Sequence, residues 1–139
     1  MARKIGLDLG DVRIGVAVSD PTGLIASPRE TYKRQTPEKD AAFFQKIVTE
    51  ESADEIVLGL PVNMDGTEGE RAHLAREYGE MLKNSISSVR VGFLDERLTT
   101  VQAERALISA DMRRDKRKEV IDKVAAALIL QTYLDKLKR

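Results

Sequence analysis

Two short apolar stretches near the amino end of the chain are separated by only a few residues, and the first contains an acid. Residues 5–9 read IGLDL and residues 13–18 read RIGVAV. Such runs are typical of β-strands, and Gly10-Asp11 between them predicts a tight antiparallel hairpin. Asp8 thus stands where a buried strand usually carries an apolar side chain. Its carboxylate needs turn amides, a cation or a metal ion as a partner, and turn amides alone are the commonest solution.

The remaining pattern alternates strands and helices. Thr36-Pro37 marks a helix start, and Thr67 to Glu70 and Thr99 to Gln102 resemble capping boxes. The pattern predicts strands at about 27–32, 55–59 and 89–94, and helices at about 37–51, 67–83, 99–110 and 119–137. Helices between consecutive strands imply parallel crossovers. We therefore expect an α/β fold with a five-stranded mixed sheet flanked by helices, in one domain over residues 1–139.

The composition excludes several kinds of chemistry. The chain has no Cys, and His73 is its one histidine. Disulfides, thiolate zinc sites, a cysteine nucleophile and a histidine-based triad are therefore ruled out within one chain. Lys and Arg total 23, as do Asp and Glu, so nucleic-acid binding would depend on a local basic patch. The amino end lacks a signal-like apolar core, and the longest apolar run, 124–130, is too short to span a bilayer, so we expect a cytoplasmic protein.

Three acidic positions differ from the many that lie beside Lys or Arg on helix faces. They are Asp8, the pair Asp95-Glu96 at the end of a strand, and Asp122 near the start of the most apolar helix. Strand alternation places Asp95 and Glu96 on opposite faces and does not say which face Asp8 shares. A first-turn acid such as Asp122 is also explained by the helix dipole alone. Together, however, three such acids favour a hard divalent metal ion with oxygen ligands.

Other segments are suited to phosphate binding. The loop 61–69 and the junction at Thr99-Thr100 precede predicted helices, where main-chain amides can bind anions, although Thr67 and Thr99 are equally well explained as caps. The run 113–118 (RRDKRK) has five basic residues and lies just before a predicted helix start, against the dipole preference. This placement favours contact with a phosphate backbone. The six aromatic residues form no evident platform for stacking bases.

At this point the chain resembles the YqgF/RuvX family. The resemblance rests on four blocks in the family's order: DLG and RIGVA at 8–17, GLPVNMDGT at 59–67, DERLTT at 95–100, and ID, AA and IL within 121–130. It implies an RNase H-like fold and a nuclease assigned to 5′-end maturation of the small-subunit ribosomal RNA precursor (pre-16S rRNA) or to Holliday junction resolution. It also implies that Asp8, Glu96 and Asp122 form an acidic triad. Junction resolvases usually have a further acidic or His residue one turn later, where this chain has Ala125.

The resulting hypothesis is a metal-dependent nuclease acting in ribosome biogenesis. Asp8, Glu96 and Asp122 would be both the catalytic and the metal-binding residues, with two Mg²⁺ or Mn²⁺ ions about 3.5–4 Å apart. The partners expected are structured RNA of the ribosome precursor or branched DNA, with no membrane, for a monomer or weak homodimer. The residues expected to bind substrate are Arg13, Asn63, Gly66, Thr67, Thr99, Lys116 and Lys118.

Three alternatives remain at this stage. A Holliday junction resolvase-like DNA nuclease would use the same triad. A sugar-kinase or actin type of ATPase also begins with Asp-x-Gly in a hairpin, but it needs a second lobe that 139 residues do not supply. A non-catalytic ribosome assembly factor that binds RNA would keep the fold and the basic run without needing the acids.

Overall fold

The computed structural model describes residues 2–100 and 114–138. Within these residues, five strands and three helices alternate much as the sequence predicts, with a short 3₁₀ turn at Glu96–Leu98 after β5. The strands are β1 (Arg3–Leu9), β2 (Arg13–Ser19), β3 (Ala26–Lys33), β4 (Ala53–Leu60) and β5 (Arg90–Asp95). The helices are α1 (Pro37–Glu51), α2 (Glu70–Ser85) and α3 (Arg114–Leu137). None of these described helices has both the length and the apolar character needed to cross a membrane.

The sheet is mixed, in the order β3-β2-β1-β4-β5. β1 is antiparallel to β2 and β2 to β3, whereas β1, β4 and β5 run parallel. The predicted hairpin and parallel crossovers are thereby confirmed. Because the carboxyl ends of β1, β4 and β5 meet at one edge, the loops that follow them converge there, which is where open α/β sheets bind ligands.

Each face of the sheet has its own apolar core. Ile5, Leu7 and Leu58 belong to one buried cluster with residues of α1 and α2, including Phe44 and Leu82. The opposite face packs against α3, and the buried residues of this second cluster are Ala17, Val57, Leu94, Ala125, Ala126, Ile129, Leu130 and Leu134. The side chains on one strand alternate between the two clusters. A residue's position along a strand therefore decides which helices it meets.

Two predicted helix starts are wrong. Thr67 does not cap α2, whose N-cap is Gly69 without a side-chain hydrogen bond. Instead the Thr67 hydroxyl donates to Asp65 Oδ1 at 2.6 Å, a local turn contact that competes with capping. The helix predicted from about 119, α3, already includes Arg114, so residues 114–118 are helical and not a loop. Lys and Arg are strong helix formers, and this propensity outweighs the weak dipole penalty.

Other helix predictions fare differently. Thr36 caps α1 as expected, because its Oγ1 accepts from the Lys39 amide at 3.2 Å. The helix predicted at 99–110 falls largely on residues 101–113, outside the described part of the chain. At its expected start, Thr99 instead ends the 3₁₀ turn, where its hydroxyl donates to the Glu96 carbonyl at 2.9 Å.

Candidate active site

Asp8 lies on the face of the sheet that α3 covers. Its cross-strand partner is Gly15 on β2, and paired residues of antiparallel strands point to the same face. A Cβ added to Gly15 would lie 1.8 Å from the main-chain oxygen of Asp122 on α3. The first half of α3 therefore rests directly on the hairpin beside Asp8. Asp8 itself is buried, with 6% of its surface exposed.

A second glycine flanks Asp8 on the other side. Asp8 and Gly59 come directly after Leu7 and Leu58, which are paired in the parallel register of β1 and β4. A Cβ on Gly59 would lie 3.1 Å from Cγ and Oε1 of Glu96. The space left by the missing side chain of Gly59 is thus shared by Ile129, whose Cδ1 would lie at 2.7 Å, and Glu96, and the space above Gly15 is taken by the main chain of Asp122. Glu96 and the main chain of Asp122, both distant from Asp8 in sequence, thus contact the two strands that flank Asp8.

The structure also separates Asp95 from Glu96. The Asp95 carboxylate receives hydrogen bonds from Arg97, including Nη2 at 2.7 Å and Nε at 3.0 Å, and its Oδ1 accepts from the Arg97 amide. The Arg97 side-chain hydrogen bond is the main reason that the pKa of Asp95 is lowered. Asp95 therefore serves the 3₁₀ turn. Glu96 shares a cleft with Asp8, which answers the question that strand alternation left open.

The cleft has a volume of about 220 Å³ at the carboxyl ends of β1 and β4. Asp8 and Glu96 lie in its wall with Gly10 and Gly59. A neighbouring cavity of about 380 Å³ also includes Glu96, and its wall is formed largely by the loop after β4, including Asn63. Asp122 lies in a third, open hollow with Arg13 and the turn of the hairpin. Glu96 is therefore accessible from two sides, and Asp122 borders the same hairpin from a third.

The loop after β4 is held by its own hydrogen bonds. The Gly66 amide donates to the Asn63 carbonyl at 2.9 Å, and the Thr67 amide donates to Asp65 Oδ1 at 3.0 Å. Asn63 Nδ2 donates to the Thr67 hydroxyl at 3.0 Å. The amides of Gly66 and Thr67, expected to bind substrate, are thus already engaged within the loop. They make a rigid turn that presents Asn63 beside Glu96, rather than a ready-made anion site.

The other expected substrate contacts lie around this cleft. Arg13 is partly buried at the start of β2, next to Asp122. Thr99 holds the carbonyl of Glu96. Lys116 and Lys118 lie on the first turns of α3, several residues before Asp122. His73 is exposed, as expected.

The acidic residues fit a hard divalent cation as a partial ligand set. Within the described residues, no group of three or more His, Asp and Glu side chains lies close enough to hold one ion together. Asp8 and Glu96 share the cleft, and Mg²⁺ in phosphoryl-transfer sites is commonly held by one or two carboxylates, waters and substrate oxygens. The oxygen donors present therefore suit Mg²⁺ or Mn²⁺.

Sequence reasoning missed two arginines and a buried acid near the cleft. Arg34 and Arg71 both lie in the wall that contains Asp8 and Glu96.

Asp40 is 1% exposed on α1 and accepts hydrogen bonds from the hydroxyls of Tyr32 at 2.8 Å and Tyr78 at 2.9 Å. Burial, reinforced by this carboxylate, raises the pKa of Tyr32 to about 12 and raises that of Tyr78. Of these three residues, only Arg71 carried a sequence signal, because it lies in the first turn of a helix, where cations are unusual.

Comparison with known sequences gives a consistent picture along the whole chain. The family model described as "RuvX: Holliday junction resolvase" matches residues 2–136. A protein from Clostridium beijerinckii described as "Putative pre-16S rRNA nuclease" is 48% identical over 137 residues, covering 99% of each chain. A protein from Halothermothrix orenii with the same description is 49% identical over 133 residues, covering 96% of this chain and 94% of that one.

Solved structures agree on the fold. A Thermus thermophilus RuvC in complex with a Holliday junction substrate superposes with a TM-score of 0.60 at 13% identity, covering 98% of this chain and 96% of that one. A Fowlpox virus resolvase in complex with Holliday junction DNA gives a TM-score of 0.56 at 11% identity, covering 99% of both. The expected RNase H-like fold is therefore confirmed.

Proposed function

This chain belongs to the RuvX nuclease family, and we propose that it hydrolyses phosphodiester bonds of the ribosomal RNA precursor with a divalent metal ion held by Asp8, Glu96 and Asp122. The family membership makes it a nuclease whose partner is nucleic acid. The proposal adds the substrate, the metal and the residues that act.

One observation carries the assignment of the acids. Asp8 lies between two glycines, Gly15 and Gly59. The space above Gly15 is filled by the main chain of Asp122, and the space above Gly59 by the side chains of Ile129 and Glu96. A purely structural Asp8, satisfied by its own hairpin, would not require side-chain-free neighbours on both sides. An arrangement that places Asp8 and Glu96 in one cleft, and Asp122 in the adjoining hollow beside the same hairpin, suits a cation that none of them could bind alone.

Each residue then has a distinct role. Asp8 and Glu96 would hold the cation in the cleft, and Asp122 would complete the acidic site from α3. Divalent ions held there, two of them as is typical of such nucleases, would supply an activated water and would stabilise the leaving oxygen. The Thr99 hydroxyl helps to hold Glu96 in place by donating to the Glu96 carbonyl. Thr67 and Gly66 keep the loop closed so that Asn63 faces the substrate.

Basic residues near α3 would bind the flanking phosphates. Arg13 borders the same hollow as Asp122, and Lys116 and Lys118 precede Asp122 on the helix. Because the chain has equal numbers of acidic and basic residues, such a local group is needed to attract a polyanion. A substrate strand would therefore approach Asp8 along the first turns of α3.

The RNA precursor is the preferred substrate because relatives at nearly half identity along the whole chain are described as pre-16S rRNA nucleases. Such a substrate would place the protein in the cytoplasm, in contact with the ribosome precursor. A four-way DNA junction is the second candidate, because the family description names junction resolution. Ala125, where junction resolvases usually carry a further ligand, is buried against the sheet with 2% exposure and adds no donor.

The decisive experiment replaces Asp8 by Asn. Cleavage of a labelled RNA spanning the 5′ end of pre-16S rRNA, and of a four-way DNA junction, is measured with Mn²⁺, with Mg²⁺ and with EDTA. We expect Asp8→Asn to abolish cleavage, as EDTA does, while the melting temperature stays unchanged or rises because carboxylate repulsion is relieved. Asp135→Asn, which removes an exposed acid at the far end of α3, is the matched control and should cleave normally.

Two results would contradict the proposal. Cleavage at the wild-type rate by Asp8→Asn would show that the acid is structural. Failure of the wild-type protein to cleave either substrate with any added metal, while it still binds RNA, would favour the assembly-factor alternative.

A further inference from the structure

Arg34 is held rigidly at the edge of the cleft. Its main-chain amide donates to the Val12 carbonyl and its Nη1 donates to the Gly10 carbonyl, both at 2.9 Å. Its guanidinium lies 4.9 Å from the centre of the Tyr78 ring, in a cation–π contact. Tyr78 is itself fixed by the hydrogen bond to buried Asp40. Arg34 is thus ordered before any ligand arrives.

These contacts do not neutralise the positive charge of Arg34. Among the side chains described, at residues 2–100 and 120–138, no carboxylate forms an ion pair with its guanidinium. Its guanidinium contacts a carbonyl and an aromatic ring, and both of these are uncharged groups. A fixed arginine with a planar set of donors is well suited to phosphate oxygens.

Arg71 lies on the same side of the cleft. It is the second residue of α2, where the helix dipole disfavours a cation, so local helix stability does not account for it. Its Nη2 lies 3.4 Å from Oδ2 of Asp11, and both side chains are at least three-quarters exposed. Such an exposed pair adds little to stability and separates easily. The ion pair between Asp11 and Arg71 is therefore weak.

From this geometry we infer that Arg34 and Arg71 bind phosphates of the nucleic-acid strand next to the scissile bond, and that Asp11 is displaced from Arg71 when the strand binds. The inference deepens the proposed function, on which it rests for the identity of the strand. It adds a contact surface on the α2 side of the cleft, opposite the basic turns of α3. The strand would then cross the cleft from α3 to α2, with the acids between.

The experiment measures binding without cleavage. Fluorescence anisotropy in EDTA follows an RNA hairpin with a single-stranded extension at 50–300 mM KCl, for Arg71→Gln, Arg34→Gln and Asp11→Asn. Arg76→Gln is the matched control, because Arg76 is on the same helix but pairs with Glu68 and lies outside the cleft wall. Glu80→Gln, an exposed acid later in α2, is the control for Asp11→Asn.

We expect Arg71→Gln to lower the slope of log K against log[salt] by about 0.7–0.9 in magnitude, which corresponds to roughly six-fold weaker binding at 0.1 M salt. Arg34→Gln should give a similar change, and a melting curve checks that the hairpin turn survives. Asp11→Asn should strengthen binding more than Glu80→Gln does. Arg76→Gln should leave the slope unchanged.

An unchanged slope in Arg71→Gln would overturn the inference, whatever Arg34→Gln does, because Arg71 has no comparable structural role. Equal slope losses in Arg71→Gln and Arg76→Gln would also overturn it, since they would indicate a general charge effect. Because binding is measured in EDTA, wild-type protein that binds but never cleaves would refute the proposed function alone. Normal cleavage with unaltered binding in Arg71→Gln would refute this inference alone.

Discussion

Gly15→Ala tests the packing that brings Asp122 to the hairpin. The added Cβ would lie 1.8 Å from the Asp122 oxygen and 2.2 Å from its carbonyl carbon, whereas real Cβ contacts stay beyond 3.0 Å. These are main-chain atoms of a helix and cannot turn aside as a side chain could. The first half of α3 must therefore move off β2 by at least about 1 Å.

Both stability and activity should respond. Overpacking of this kind costs about 3 kcal/mol, at the upper end of the usual range, because the clash involves backbone on both sides. For a chain of this size the melting temperature should fall by about 10 °C. A displacement of about 1 Å at a catalytic group typically lowers turnover by about 100-fold. Cleavage measured well below the melting temperature should show that loss in the folded variant.

Gly92→Ala provides the matched control. It places the same methyl group on the same face of the sheet, but its nearest contacts are Glu55 Oε2 at 3.4 Å and Tyr133 Oη at 3.8 Å, which are ordinary distances. Its melting temperature and cleavage rate should stay near wild type. If Gly15→Ala matched Gly92→Ala in both measurements, α3 would not press on the hairpin as described, and Asp122 would lose its place in the site.

Three further predictions concern other parts of the molecule. Glu96→Ala should abolish cleavage whereas Asp95→Ala should reduce it only moderately, by loosening Arg97 and the 3₁₀ turn; equal losses in the cleavage assay would contradict the site assignment. Neutralising the basic residues at 116–118 together should lower the salt slope of RNA binding by roughly 0.7–0.9 per lost contact, and an unchanged slope would exclude them from the interface. Tyr78→Phe should lower the free energy of unfolding by about 1.5–3 kcal/mol, because a hydrogen bond to a buried carboxylate is lost. Burial raises the pKa of Tyr78, so wild-type stability should fall as pH rises above about 10, where the unfolded chain releases this proton first, and denaturant titrations should show a shallower fall in the variant.

Local chemistry was enough to predict most of the elements. Alternating apolar residues and Gly10-Asp11 specify the β1–β2 hairpin, and Thr36 with its following proline specifies the start of α1, because these signals act within a few residues. The missed starts have equally local causes. Thr67 had two possible hydrogen-bond partners, and its neighbour Asp65 was preferred over the helix amides.

The composition of the site could also be read from the sequence, but its assembly could not. Without Cys and with a single His, the chain could build such a site only from carboxylates, and Asp8 was conspicuous within an apolar strand. Whether Asp95 or Glu96 faces Asp8 depends on how β5 registers against β4, which is a property of the sheet.

Long-range packing decided the rest. Gly15 and Gly59 read as ordinary strand glycines, and only the docking of α3 and the 3₁₀ turn shows that they make room for Asp122 and Glu96. The role inferred for Arg34 likewise depends on Tyr78 and Asp40, which lie on two different helices. A sequence specifies which groups are available, whereas their proximity depends on contacts between segments tens of residues apart, for which local propensity carries no signal.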